Sequence, residues 1–168
     1  MRRAGLLSAV AVAVALGFCG TGAWIYLEAR TDQELAFGRE RDTALAEGRQ
    51  RLTVLNTLDA STRESAAAGI DAWRDASTGP LRTELGRTEP AAGASARATV
   101  TEAALTALDT RAGTAKLIAT VRVDVTPRKG AATTDRKRLE AVLTRTGENT
   151  WRVAALSAVP VAGAEEDE

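Results

Sequence analysis

Histidine is absent from this sequence, and cysteine occurs once, as Cys19 inside a hydrophobic stretch near the N-terminus. Histidine is the commonest general base near neutral pH and the commonest metal ligand, so its absence excludes the most frequent acid–base and metal chemistry. Without further cysteines, the rest of the chain has no thiol, no disulfide and no cysteine-based metal site. We therefore predict no metal and no cofactor, and a domain held together by packing alone.

The sequence also lacks an excess of charge of either sign, with 22 basic and 22 acidic residues. No basic stripe interleaved with aromatic residues is present, so a nucleic-acid partner is not predicted. Two small basic groups occur, Arg128-Lys129 and Arg136-Lys137-Arg138. They are typical of a solvated turn and an exposed strand start, and the alternative is a site for an anionic partner or a lipid headgroup.

One long stretch without charge extends from Ala4 to Leu27. As a helix these residues would be about 36 Å long, at a rise of 1.5 Å per residue. That length crosses the hydrocarbon core of a bilayer, which is about 30 Å thick. Arg2 and Arg3 precede the stretch and an acidic segment follows it, which favours a cytoplasmic N-terminus. We predict a cytoplasmic segment at 1–3, a transmembrane helix at 4–27, and a plasma-membrane protein whose remaining chain is extracytoplasmic.

Two alternatives to a retained anchor stay open. A cleaved signal peptide fits the basic start, but the best small-residue site, Gly22-Ala23, is followed directly by apolar residues. A lipoprotein would be lipidated at Cys19, but Phe18 stands where a small residue is required. The simplest interpretation of Cys19 is a small apolar residue in a helix.

Helical periodicity dominates the first part of the chain beyond the anchor. Residues 28–42 are highly charged and are predicted to form a stalk or helical extension. A first helix is predicted to run from Thr31 to about Leu58, with leucines 45, 52, 55 and 58 along one face. A second is predicted over Arg63–Ala76, capped by Ser61 or Thr62, and a short third one ends at Gly86.

Beyond a loop at 87–96 the apolar period changes from 3.6 to 2. Residues 114–126 alternate most clearly and predict a long half-buried strand. Weaker alternation predicts strands at 97–108, 136–146 and 150–159, the last two joined by a tight hairpin at 147–149. Helices followed by an antiparallel meander predict an α+β domain over 43–160. The acidic segment 161–168 is predicted to be a disordered tail.

Several of these segments together resemble the actinobacterial Mce-associated membrane proteins (Mce for mammalian cell entry), whose outer domains are nuclear transport factor 2-like, or SnoaL-like. The resemblance covers about residues 5–160. Besides the order of the strands, it rests on the segment 55–59 that closes the first helix, the Trp73 helix followed by Thr78–Leu81, the hairpin Gly147–Val153, and the end of the last strand at Val159-Pro160. Leu58 stands where the family is more aromatic.

The resemblance implies a cone-shaped domain, with about three helices packed on a curved, four-stranded antiparallel sheet. It also implies an accessory role beside an Mce-type envelope lipid-transport complex, with lipids or sterols as the transported substrates. The Mce-associated group has no catalytic motif, so the resemblance transfers no functional residue.

Enzymes of the wider superfamily use Asp, His, Tyr or Arg inside the cone. Here histidine is absent and the only tyrosine, Tyr26, lies in the predicted anchor. Each candidate acid has a simpler interpretation as a helix cap, a turn residue or a solvated surface carboxylate. We therefore predict that the protein is not an enzyme. The candidate acids are Asp59, Asp71, Asp75, Asp109, Asp124 and Glu140.

Two functions follow from this interpretation. The first is a non-enzymatic, single-pass accessory protein that uses its outer domain for protein contacts. The second is a membrane-tethered binding module for a lipid or another apolar small molecule, in which the tryptophans would line a pocket rather than fill a core. The residues predicted to line that pocket or core are Ile70, Trp73, Leu117, Val121, Trp151 and Val153.

Overall fold

The computed structural model describes residue 26, residues 32–147 and residues 149–159. The predicted cytoplasmic segment, the anchor apart from Tyr26, and the acidic tail lie outside the described residues. Among the residues that are described, no helix combines the length and the apolar character needed to span a membrane. The chain divides into two units, Met1–Glu40 and Arg41–Glu168. In the first, residues 32–40 are helical, with Leu35 and Phe37 exposed.

The first helix, α1, covers residues 32–55, and its residues from 41 onward belong to the second unit. Its buried face carries Ala44 and Leu52, both fully buried, while Leu45 and Leu55 pack against the core from its margin. The predicted extension of this helix to Leu58 is wrong. The Asn56 side-chain amide donates to the Leu52 carbonyl, and the chain then extends, so that Leu58 pairs with Ala96 as an isolated β-bridge.

Helix α2 spans Arg63–Ala76 and α3 spans Gly79–Leu85, which confirms both predicted helices. Thr62 and Ser65 form a reciprocal capping box at the start of α2, in which each side chain accepts from the other residue's backbone N–H. Pro80 lies in the first turn of α3, where the missing N–H costs no helical hydrogen bond.

The sheet contains β1 (Ser95–Asp109), β2 (Thr114–Thr126), β3 (Thr133–Arg145) and β4 (Trp151–Ala158). Its order β1-β2-β3-β4 is the predicted antiparallel meander, and the bounds of β2 are those predicted from its alternation. Bulges interrupt the β1–β2 register twice and the β3–β4 register once, whereas the β2–β3 register is unbroken. The α+β architecture of three helices and a four-stranded antiparallel sheet is thereby confirmed.

The core of the second unit lies between α1 and the inner face of the sheet. The inner face consists of alternate residues of the strands, because successive side chains point to opposite faces. It includes side chains from all four strands that are fully or almost fully buried, among them Val100, Leu117, Leu143 and Trp151. The position of Gly48 allows α1 to approach this face closely, since an added Cβ would lie 2.8 Å from Leu143 Cδ1.

Candidate interaction surfaces

Four of the six residues predicted to line a pocket or a core lie in the hydrophobic core cluster. Leu117 and Val121 come from β2, Trp151 and Val153 come from β4, and all four have no exposed surface. Alternation along each strand places them on the helix-facing side of the sheet. Their side chains fill the space between helix and sheet.

The two helical residues of the set lie elsewhere. Ile70 is buried on α2 but belongs to no part of the main cluster, and Trp73 is half-buried. The Trp73 indole N–H lies 2.9 Å from the carbonyl oxygens of both Val54 and Thr57. Trp73 thus joins α2 to the end of α1, and its polar atom is used within the fold.

Polar contacts that the sequence did not reveal hold the helices against β4. The Glu47 carboxylate on α1 accepts from the Trp151 backbone N–H at 2.6 Å, across 104 residues of chain. Thr78, between α2 and α3, donates its backbone N–H to the Val153 carbonyl at 2.9 Å. Neither contact has a local signature, because each joins residues that only the tertiary fold brings together.

The candidate acids do not converge on one site. Asp71 pairs with Arg74 at 2.9 Å, Asp75 pairs with Arg82 at 3.8 Å, and Asp109 accepts from two backbone N–H groups of its own turn. Glu140 lies on the outer sheet face opposite Ile118. No group of three or more acidic or cysteine side chains suited to a metal ion occurs within the described part of the chain.

The remaining two acids are held by hydrogen bonds at the surface. The backbone N–H of Ser61 is the main cause that lowers the pKa of Asp59, and the Ser61, Ser95 and Ser65 hydroxyls lower it further. The pKa of Asp124 is lowered chiefly by the hydroxyl of Thr134, which donates to its carboxylate at 2.6 Å, and also by Arg122. A lowered pKa keeps these carboxylates ionised and unsuited to accept a proton near neutral pH.

An open groove of about 510 Å³ runs between the end of α1 and α2. Its α2 wall carries the small residues Ala68, Gly69 and Ala72, and the room lies beside the two alanines, because Leu58 packs directly against Gly69. None of the six predicted pocket residues lines this groove. Its lining is Thr53, Val54, Thr57, Asp59, Ser65, Ala68, Gly69 and Ala72.

A second surface of note is the first half of β3. All six residues from Thr133 to Arg138 are exposed, whereas Leu139, Ala141 and Leu143 in the second half are buried. Because β2 pairs with β3 from Thr133 onward, the strand begins three residues before the predicted start at 136. The charged residues here carry no apolar alternation, so the sequence offered no signal for these first positions.

No family model matches the chain, and no curated protein is similar to it in sequence. Solved structures share its fold. CagV from Helicobacter pylori strain 26695, a VirB8 homolog of a type IV secretion system, is similar with a TM-score of 0.54 at 9% identity, over 71% of this chain and 98% of CagV. An Ntf2 like protein involved in plasmid conjugation is similar with a TM-score of 0.50 at 10% identity.

The second likeness covers 77% of this chain and 52% of the conjugation protein, so this chain corresponds to about half of that relative's length. At sequence identities this low, the structural similarity is evidence for a shared fold alone. The predicted nuclear transport factor 2-like fold is therefore confirmed, whereas membership of the Mce-associated family finds no support in these comparisons.

Proposed function

We propose that this chain is a non-enzymatic accessory protein, tethered to the plasma membrane by residues 4–27, whose outer domain makes protein contacts in an envelope transport complex. The observation that carries the proposal is the filled core. Side chains without exposed surface occupy the position where an enzyme or carrier of this fold would hold its ligand. What the domain offers to other molecules is therefore its surface.

Two kinds of complex are compatible with this role. The resemblance in the sequence favours an Mce-type lipid-transport complex. The structural neighbours are a VirB8 homolog of a type IV secretion system and a protein involved in plasmid conjugation, so a secretion or conjugation complex is the alternative. Because fold does not determine function, the partner must be identified directly. We favour the Mce-type complex because its resemblance includes the N-terminal span as well as the outer domain.

Affinity purification in mild detergent from the source membranes tests this role. The tagged full chain should recover subunits of one envelope transport complex, and mass spectrometry of those subunits distinguishes lipid transport from secretion. The matched control replaces residues 4–27 with an unrelated single transmembrane helix, which should preserve the contacts made by the outer domain. Recovery of the tagged chain alone, while known membrane complexes stay intact, contradicts the proposal.

The anchor is tested separately by washing membranes with alkaline carbonate. We expect the chain to stay in the membrane fraction with its N-terminal sequence intact. Release of a mature protein that begins near residue 24 would instead identify a cleaved signal peptide and remove tethering from the proposal.

A binding module for a lipid or another apolar molecule is the second candidate, and the groove between α1 and α2 favours it. The groove is open and mostly apolar, with Ala68 and Ala72 exposed on its α2 wall. Native mass spectrometry of the purified chain should then show a bound lipid that Ala72→Phe displaces. Ala91→Phe, the same change in an exposed loop, is the control. Absence of bound lipid from the wild-type chain contradicts this candidate.

A further inference from the structure

The first half of β3 is an open edge of the sheet. Strand β4 pairs with β3 from Leu139 onward, and the last contact on this side is the Val159 N–H, which donates to the Arg138 carbonyl at 2.9 Å. From Thr133 to Lys137 no described residue pairs with β3 on the side opposite β2. An edge of this kind presents unpaired backbone groups that another strand can use.

The backbone groups at this edge can be assigned from the alternation of the ladder. In an antiparallel sheet, successive residues direct their N–H and C=O groups to opposite sides of the strand. The Arg138 carbonyl points toward β4, and the register with β2 is regular through this segment. The N–H and C=O of Arg136 and Thr134 therefore point to the open edge, whereas those of Thr133, Asp135 and Lys137 point to β2.

The charge at this edge is strongly positive. Arg136, Lys137 and Arg138 are consecutive and exposed, and Arg128 and Lys129 lie in the loop that leads into the strand. None of the described carboxylates forms an ion pair with Arg136 or Arg138.

Two of the nearby acids are already engaged. Asp135 lies 3.9 Å from Lys137, and Asp124 is engaged by Arg122 and Thr134. In the register of β2 and β3, Arg122 lies directly opposite Arg136, a like-charge pair that destabilises the sheet. Asp124 compensates Arg122, but no described carboxylate forms an ion pair with Arg136.

The positive charge of this edge restricts which kind of strand can pair with it. A second copy of β3 would bring its own arginines and lysine against this edge, so repulsion disfavours pairing between copies. An apolar strand would leave the cations uncompensated. A strand that carries glutamate or aspartate satisfies both the unpaired backbone groups and the excess positive charge.

We propose that an extended acidic segment of a partner protein adds to this edge as a fifth strand. Its backbone would exchange hydrogen bonds with Thr134 and Arg136, while its carboxylates would lie beside Arg136 and Arg138 on one face and Lys137 on the other. This mode gives affinity through main-chain bonds and specificity through side chains. The inference rests on the proposed function, because it names the surface through which the outer domain contacts its complex.

The probe is a synthetic ten-residue peptide in which glutamate alternates with threonine, added to the full chain in detergent. A peptide with lysine in place of glutamate is the negative control. We expect saturable binding of the acidic peptide only, with slowed hydrogen exchange at the amides of Thr134 and Arg136. The amides of Asp135 and Lys137 already face β2 and should be unchanged. Binding without protection at Thr134 and Arg136 overturns the proposal.

Charge-reversal variants separate this edge from general electrostatic attraction. Arg136→Glu together with Arg138→Glu should weaken peptide binding by about tenfold, because two favourable charge contacts become repulsive. Arg136→Lys keeps the charge and should retain the affinity. Arg111→Glu is the control, because it reverses the charge of an exposed arginine in the turn between β1 and β2, away from this edge. Equal weakening by Arg111→Glu contradicts the proposal.

The acidic residues at 165–168 of the chain itself are a competing occupant. Replacing Glu165, Glu166, Asp167 and Glu168 with serine tests this. Peptide binding of similar strength in the wild-type and serine chains supports a partner strand, whereas binding seen only after the replacement assigns the edge to the chain's own tail and overturns the proposal.

The purification described above distinguishes failure of this inference from failure of the proposed function. If the double charge reversal abolishes recovery of the complex, the edge is the contact surface. If the complex is recovered unchanged, the accessory role stands and the edge proposal is wrong. If neither the wild-type chain nor the variant recovers partners, the proposed function fails independently of the peptide result.

Discussion

The two halves of β3 have the same neighbour, β2, in one unbroken register, but their environments differ completely. Leu139, Ala141 and Leu143 are buried with alternate residues facing outward, whereas every residue from Thr133 to Arg138 is exposed. Only the second half has β4 on its other side, and there Leu143 lies beneath Gly48 of α1. Pairing with β2 is therefore enough to form a strand, but the side chains are buried only where α1 and β4 also lie against that strand.

The difference in amino-acid composition between the two halves of β3 follows from this difference in burial. A buried leucine contributes about 1.5–3 kcal/mol relative to an exposed one, so apolar alternation is favoured beneath α1. At an open edge the same alternation would invite aggregation, and charged residues prevent it. The charged half of β3 is thus compatible with solubility, and its one-sided charge restricts which strand can add to it.

Leu143→Ala should show the largest effect, because it creates a cavity beneath α1. We expect a loss of about 2–5 kcal/mol in the free energy of unfolding, measured by urea denaturation. Arg136→Ala, in the exposed half of the same strand, should change it by less than about 0.5 kcal/mol. Similar losses for both variants would show that the two halves are equally involved in the core, which would invalidate the contrast.

Glu47→Ala tests the contact that fixes α1 over the beginning of β4. The variant leaves the buried Trp151 N–H without its acceptor, which should cost about 1–3 kcal/mol. Glu47→Gln keeps an acceptor oxygen at the same position and should lose less. The measurement is again urea denaturation, supported by faster hydrogen exchange at the Trp151 amide in the alanine variant. An unchanged exchange rate would show that this hydrogen bond does not hold α1 against the beginning of β4.

Gly48→Ala tests the close approach of α1 to the sheet. Alanine normally stabilises a helix by about 1 kcal/mol relative to glycine. Here the added methyl group would meet Leu143, and overpacking of a core typically costs about 1–3 kcal/mol, so we expect net destabilisation. Gly38→Ala is the control, since an added Cβ at Gly38 meets no atom within 4 Å. A melting temperature that rises in both variants would mean that the helix–sheet contact is loose.

The sequence predicted the elements whose pattern directly reflects their burial. The alternation from Ala115 to Val125 predicted the bounds of β2, and the capping residues Ser61 and Thr62 predicted the start of α2. The end of α1 was predicted wrongly because the leucine spacing continues to Leu58, whereas the chain already turns at Asn56 to bridge to β1.

The surfaces were harder to predict than the elements. The groove between α1 and α2 depends on small residues whose neighbours only the fold defines, and the open edge depends on where β4 ends. Among the six residues predicted to line a pocket or core, the four on β2 and β4 lie together on the inner face of the sheet. Periodicity alone could not show that Trp73 would direct its indole N–H to the end of α1.

Acid dependence gives the smallest expected effect and probes the exposed end of the β2–β3 pair. The pKa of Asp124 is below its ordinary value of 3.8, chiefly because Thr134 donates to the ionised carboxylate. A lowered pKa contributes stability above the ordinary value, and that contribution is lost as pH falls through the folded-state pKa. Asp124→Asn and Thr134→Val should therefore each be slightly less stable than the wild type near neutral pH.

Both differences should shrink as the melting temperature is followed from about pH 6 to about pH 2.5, since the wild type loses the contribution that the variants lack. Asp59, whose pKa is also lowered, stays in all three proteins, so its acid dependence cancels in the comparison. A stability difference that is the same at every pH would mean that Thr134 supports Asp124 through packing rather than through charge. The exposed end of the sheet would then be held by its backbone ladder alone, and the contrast with the covered half would become sharper.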